Sequence, residues 1–91
     1  MNFQKLYYFI DVVQLESITA AAKKNGITQC AMSQQIKSIE KEMDVLLLIR
    51  RRNHIMPTKA GILFYDFCIE TLECHRKYTG EMRSISNINN F

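Results

Sequence analysis

Residues 17–41, SITAAAKKNGITQCAMSQQIKSIEK, constrain this chain most. Ser17 stands before Ala20, Ala21, Ala22, Lys23 and Lys24, good helix formers that its hydroxyl can cap. Gly26 falls where that helix must stop, because glycine takes up a left-handed backbone without steric cost. Thr28 can cap the helix that follows. The alanines add little bulk but let two helix backbones cross closely. The order predicts a helix over about 18–25, a sharp turn and a helix over about 28–42, a helix-turn-helix spanning about 17–36.

The second of these helices has two faces. Met32, Ile36, Ile39 and Met43 recur at helical spacing and predict a buried stripe. Gln29, Cys30, Ser33, Gln34, Lys37 and Lys41 lie on the other side, with no acid before Glu40. An ordinary solvated face mixes Glu with Lys from its first turn. This one is rich in amides and hydroxyls, which donate and accept hydrogen bonds at base edges.

Charge placement agrees. The net charge is +3, but residues 1–60 hold nine Lys/Arg against five Asp/Glu, while residues 61–91 hold three against four. The front two-thirds therefore carry a mild polyanion footprint. Its densest part is Arg50, Arg51, Arg52, Asn53 and His54, in a stretch with no acid between Asp44 and Asp66. The aliphatic run at residues 45–49 precedes it, and Ile55-Met56-Pro57 follows. This pattern predicts a two-stranded hairpin with the Arg/Asn segment at its tip, a wing whose arginine forks suit phosphates.

The remaining elements frame these two. Phe3, Leu6, Ile10 and Val13 hold a helical stripe over residues 3–15, widened by Tyr7, Phe9 and Val12 and capped by Asn2. Thr58 caps a last helix over 59–82 whose apolar residues, among them Ile62, Leu63, Phe64 and Phe67, cover most of its circumference. One face of it can cover the first helix and hairpin. Tyr65, Ile69 and Leu72 are the residues expected to meet a second chain, and 83–91 reads as a flexible tail. A 91-residue chain buries a modest core, so a partner subunit would help it.

Other classes fit less well. The three cysteines form no CxxC pair, and His54 and His75 add no metal spacing, so neither a zinc site nor a disulfide framework is expected. Free thiols suit a reducing cytoplasm. There is no Ser-His-Asp set, paired carboxylate or glycine-rich phosphate loop, so no enzyme and no cofactor are expected. Cys30 beside basic residues raises the alternative of a redox-sensing thiol. The apolar last helix raises that of a protein-interaction scaffold. No apolar run is long enough to span a bilayer, and no leader opens the chain.

In order and spacing, the sequence resembles the amino-terminal domain of the LysR-type transcriptional regulators from Met1 to about Tyr78. The elements that carry the resemblance are Met1-Asn2-Phe3, Tyr8-Phe9, Ser17-Ile18-Thr19-Ala20-Ala21-Ala22, residues 28–36 (TQCAMSQQI), Ile39-Glu40 and Pro57-Thr58-Lys59-Ala60-Gly61. Departures are Cys30 for a usual proline, Gln34 for a frequent arginine, Asp44 for a common glycine and Leu48 for a common phenylalanine. The resemblance implies a mainly α winged helix-turn-helix, with 1–58 binding DNA and 59–82 forming the linker helix of a homodimer. It maps Gln29, Cys30, Ser33, Gln34 and Lys37 to the major groove, Thr19 and Thr28 near backbone contacts, and residues 50–54 to the wing. The expected partner is operator duplex DNA. A small-molecule inducer is expected only with a carboxy-terminal effector domain of two α/β lobes. Nothing of that domain is present here, which makes the chain read as a fragment rather than a free-standing domain.

Overall fold

The computed structural model describes residues 1–89. Its elements are α1 (Phe3–Leu15), α2 (Ile18–Lys24), α3 (Gln29–Met43), β1 (Leu48–Arg51), β2 (His54–Pro57) and α4 (Lys59–Asn89). Three helices begin on the caps read from the sequence. The side chains of Asn2, Ser17 and Thr28 accept from the backbone N–H of Lys5, Ala20 and Ala31, each at 3.0 Å. Thr58 does the same for α4, accepting from Gly61 N–H at 2.9 Å. Each cap satisfies a donor that a helix's first turn would otherwise leave open.

The core forms where these helices cross. Leu6, Phe9, Ile10 and Val12 of α1 pack with Ile18, Ala21 and Ala22 of α2 and Met32, Ile36 and Ile39 of α3. Leu47, Leu48, Ile55, Phe64, Cys68 and Leu72 close the cluster from the hairpin and α4. Phe9 and Phe64 meet edge to face, with ring centroids 4.8 Å apart. Cys68 is fully buried, and loss of water around it pushes its thiol up to about 12, a backbone hydrogen bond offsetting part of the rise.

A polar bracket holds the turn of the helix-turn-helix to α1. Asp11, buried on α1, accepts from Lys24 Nζ at 2.8 Å and from Asn25 Nδ2 at 2.9 Å. Asn25 Nδ2 also donates to the Ala21 carbonyl at 2.8 Å. Gly26 follows at φ +68, as the sequence required.

The structure corrects four expectations. Met43 does not complete the buried stripe of α3. It is 39% exposed, because the helix ends there and Asp44 turns the chain away with φ 56 and ψ 41. That left-handed C-cap explains why glycine suits position 44. The hairpin starts three residues later than the aliphatic run suggested, since Leu48 and Ile55 must both face the core. Arg50 and Arg51 therefore lie within β1, and the turn between the strands is Arg52-Asn53.

The third and fourth corrections concern α4. It continues through the expected tail to Asn89, one mid-helix glycine costing too little to stop it; Asn90 and Phe91 lie outside the described residues. Leu72 is spent in the core, and Tyr65 and Ile69 are half-buried against it, the Tyr65 hydroxyl accepting from Gln14 Nε2 at 2.9 Å. The exposed apolar stripe lies on another flank, through Leu63, Phe67, Cys74, Tyr78, Met82 and Ile85.

The base of α4 is set by a close approach. A Cβ on Gly61 would overlap the Leu47 carbonyl oxygen and crowd Pro57. Gly61→Ala is therefore expected to lower stability by about 2 kcal/mol. Asp44→Gly is expected to raise it by about 1 kcal/mol by relieving the left-handed conformation, with the melting temperature shifting by several degrees in each direction. Thermal melts of both variants check the pair of opposite signs. In native protein, maleimide is expected to label the exposed Cys30 and to reach Cys68 only after denaturation; peptide mapping that finds Cys68 labelled without unfolding would contradict its burial.

Candidate nucleic-acid interface

The start of the hairpin lies beside the later turns of α3, where Leu48, Ile49 and Arg50 line a cleft with Ser33, Ile36, Lys37 and Glu40. Antiparallel pairing sets Leu48 opposite Pro57, Ile49 opposite Met56, Arg50 opposite Ile55 and Arg51 opposite His54. Side chains alternate between the two faces of a strand. Leu48 and Ile55 face the core, so Arg50 shares their face and sits toward α3, while Arg51 and His54 share the other with Ile49 and Met56.

Two adjoining clefts result. One is lined by Ser17 and Thr19 at the start of α2, by Gln29 at the start of α3, and by residues 50–54 of the wing. The other lies between α3 and β1 and is lined by Ser33, Lys37, Glu40 and Arg50. The Ile55 N–H ties the far end of the wing to the turn before α2, donating to the Glu16 carbonyl at 3.0 Å. Glu16 adopts φ 52, which aims that carbonyl out of α1.

The structure thus gathers most of the predicted residues. Thr19, Gln29, Arg50, Arg51, Arg52, Asn53 and His54 surround the first cleft, and Ser33 and Lys37 line the second. Cys30 and Gln34 are exposed on the next stripe of α3. Thr28 is exposed, but its hydroxyl already caps α3. Sequence reasoning missed Glu16 and Ser17 as cleft residues and gave Glu40 no task. Only the fold shows that the end of α1 and the wing tip meet.

Electrostatically the surface is open to an anion. Among the described residues, the ion pairs are Lys24 with Asp11 and the N-terminal ammonium with Glu42; neither uses Lys37 or a wing arginine. Those cations and the amides of α3 therefore face solvent together, an arrangement suited to phosphates flanking base edges.

A family model described as "Bacterial regulatory helix-turn-helix protein, lysR family" matches residues 3–62. The chain is 45% identical over 65 residues to the nitrogen assimilation regulatory protein nac of Klebsiella aerogenes, covering 71% of this chain and 21% of that protein. It is 38% identical over 72 residues to the transcriptional regulator BenM of Acinetobacter baylyi, covering 79% of this chain and 24% of that one. The chain therefore spans between a fifth and a quarter of the length of these curated relatives. Among solved structures, the CbnR DBD–DNA complex superimposes with a TM-score of 0.89 at 30% identity, covering 94% of this chain and 99% of that one. The BenM DBD complex with benA site 1 DNA gives 0.88 at 32%, covering 94% and 97%. Full-length CbnR with its target DNA gives 0.87 at 30%, covering 94% of this chain and 30% of that one.

Proposed function

Since the chain belongs to the lysR family of bacterial regulatory helix-turn-helix proteins, we propose that it binds a specific duplex DNA sequence and regulates transcription, as the DNA-binding part of a LysR-type regulator. The observation that carries this reading is the joining of the wing's unpaired arginines to the amide- and hydroxyl-rich face of α3. The DNA-bound BenM and CbnR domains of the same shape support it. It is a binding module rather than an enzyme. Its place is the cytoplasm, with the DNA; no described helix is long and apolar enough to cross a membrane.

In this reading α3 enters the major groove. Gln29, Ser33 and Gln34 meet base edges, a good bidentate pair contributing roughly 1–3 kcal/mol of discrimination. Cys30 lies beside them at the start of the helix, and Lys37 and residues 50–54 meet phosphates and the flanking minor groove, with Thr19 and Thr28 near the backbone. The chain divides as a winged helix-turn-helix at 1–58 and a linker helix from 59. Two copies pair through an exposed stripe of that helix, a reading supported by the exposure of Leu63, Phe67, Cys74, Tyr78, Met82 and Ile85 along one flank. A small-molecule inducer enters only through an effector domain outside this chain.

Selection from random duplex libraries at two salt concentrations tests the reading. A motif with two-fold symmetry is expected. Weak, unselective binding lost at modest salt would leave only the polyanion footprint and overturn it. On the selected duplex, Arg51→Ala is expected to weaken all sequences alike and to reduce the salt slope by about one unit. Gln29→Ala is expected to relax preference at one base pair. For the dimer, Phe67→Glu is expected to give a folded monomer by sedimentation that selects a half-site only; an intact dimer would remove this stripe from the interface.

A further inference from the structure

We propose that Glu40 is a positioning residue for DNA recognition, fixing the wing against α3; the inference rests on the DNA-binding reading above. Glu40 lies in the last turns of α3 and is half-buried. Its Oε2 accepts from Leu47 N–H at 2.8 Å and from Leu48 N–H at 3.2 Å. Leu48 is the first residue of β1 and Leu47 the one before it. A two-stranded hairpin is marginal alone, so its orientation depends on what tethers it.

The tethers end in different places. Ile55 N–H bonds to Glu16 before α2, and Thr58 bonds at the base of α4, its N–H donating to the Leu47 carbonyl at 3.0 Å and its Oγ1 to the Leu46 carbonyl at 2.7 Å. Among the described residues, the hydrogen bonds that join the hairpin to α3 are those that Glu40 accepts. They hold the strand bearing Arg50 and Arg51 at one height along the helix that bears Gln29, Ser33 and Lys37.

The charge of Glu40 has a second consequence. It shares a cleft with Lys37 and Arg50 yet forms no ion pair with either. A carboxylate facing DNA would repel phosphate. Bonded to two peptide N–H groups, this one is drawn inward, and the neighbouring cations remain open. Glu40 therefore reads no base and touches no phosphate itself; it acts through the wing.

A double-mutant cycle tests this. Arg51→Ala, Glu40→Ala and the double variant are titrated with the selected duplex over a range of salt, with folding followed by circular dichroism and thermal melts. Arg51→Ala is expected to lower affinity roughly tenfold in the parent chain and about threefold or less in the Glu40→Ala background, where the salt slope has already fallen. Glu40→Gln retains an amide oxygen able to accept from both N–H groups, and is expected to bind within about threefold of the parent. An equal Arg51→Ala loss in both backgrounds would overturn the inference alone. So would a Glu40→Ala loss that follows the folded fraction with an unchanged salt slope. Arg51→Ala without effect in the parent chain would instead overturn the wing's part in DNA binding and this inference with it. If Glu40→Ala does not fold, Glu40→Asp, one methylene too short to serve both amides, enters the same cycle with the same outcomes.

Discussion

The edge-to-face contact of Phe9 with Phe64 joins the first helix of the chain to the last. Its importance lies in what else α1 carries. The same helix packs against α2, α3, α4 and β2, so every element that bears a candidate DNA contact is referenced to it directly or through one neighbour. The apolar side of α1 supplies the floor and Asp11 the bracket for the turn. In a chain with so small a core, few residues can be spared for either task. Phe9, Val12 and Cys68 are fully buried, and a gap at any of them would reach both the recognition helix and the linker helix.

The acids and bases are used differently. Asp11 and Glu40 are engaged by hydrogen bonds inside the domain, while the arginines of the wing have no internal ion pair among the described residues. The magnitudes make this division intelligible. An exposed ion pair adds only about 0–1 kcal/mol to stability, so little folding energy is lost by leaving the arginines open. Each cation left free can displace a counterion from a duplex, and the affinity gained that way sums over contacts. A carboxylate holding two buried amides does more for the fold than it would as a surface partner.

Much of this was legible in the sequence because local rules and tertiary demands agree. Asn2, Ser17, Thr28 and Thr58 are caps in sequence and in structure, and the stripes of α1 and α3 face the core as their spacing predicts, except that Met43 and, on α1, Phe3 and Tyr7 are exposed. The arginines and the polar face of α3 were likewise evident, since charge and spacing are local properties. What was not legible depends on three-dimensional register. The aliphatic run at residues 45–49 could not show which of its members would pair, because the choice is made by Leu48 and Ile55 reaching the core together. Helix α4 is apolar nearly all round, so its pattern could not say which flank α1 would cover; Leu72 went inward and Leu63 and Phe67 outward. The tasks of Asp11 and Glu40 join their side chains to groups outside their own helices and leave no periodic trace.

Helix α4 has 31 residues, and at about 1.5 Å per residue that is a rod of about 46 Å. Its root is clamped where Gly61 lies against the Leu47 carbonyl and Thr58 bonds to the carbonyls of Leu46 and Leu47. A rod fixed at one end is a lever. A tilt of about 5° at the root would carry the far end through about 4 Å, a little over the rise of one base pair. In a two-fold pair joined along such rods, the distance between the two reading heads is then governed by the stiffness of a joint a few atoms wide. In the pairing proposed above, Gly61, which has no room for a methyl group, would thus bear on the half-site spacing that the two copies accept.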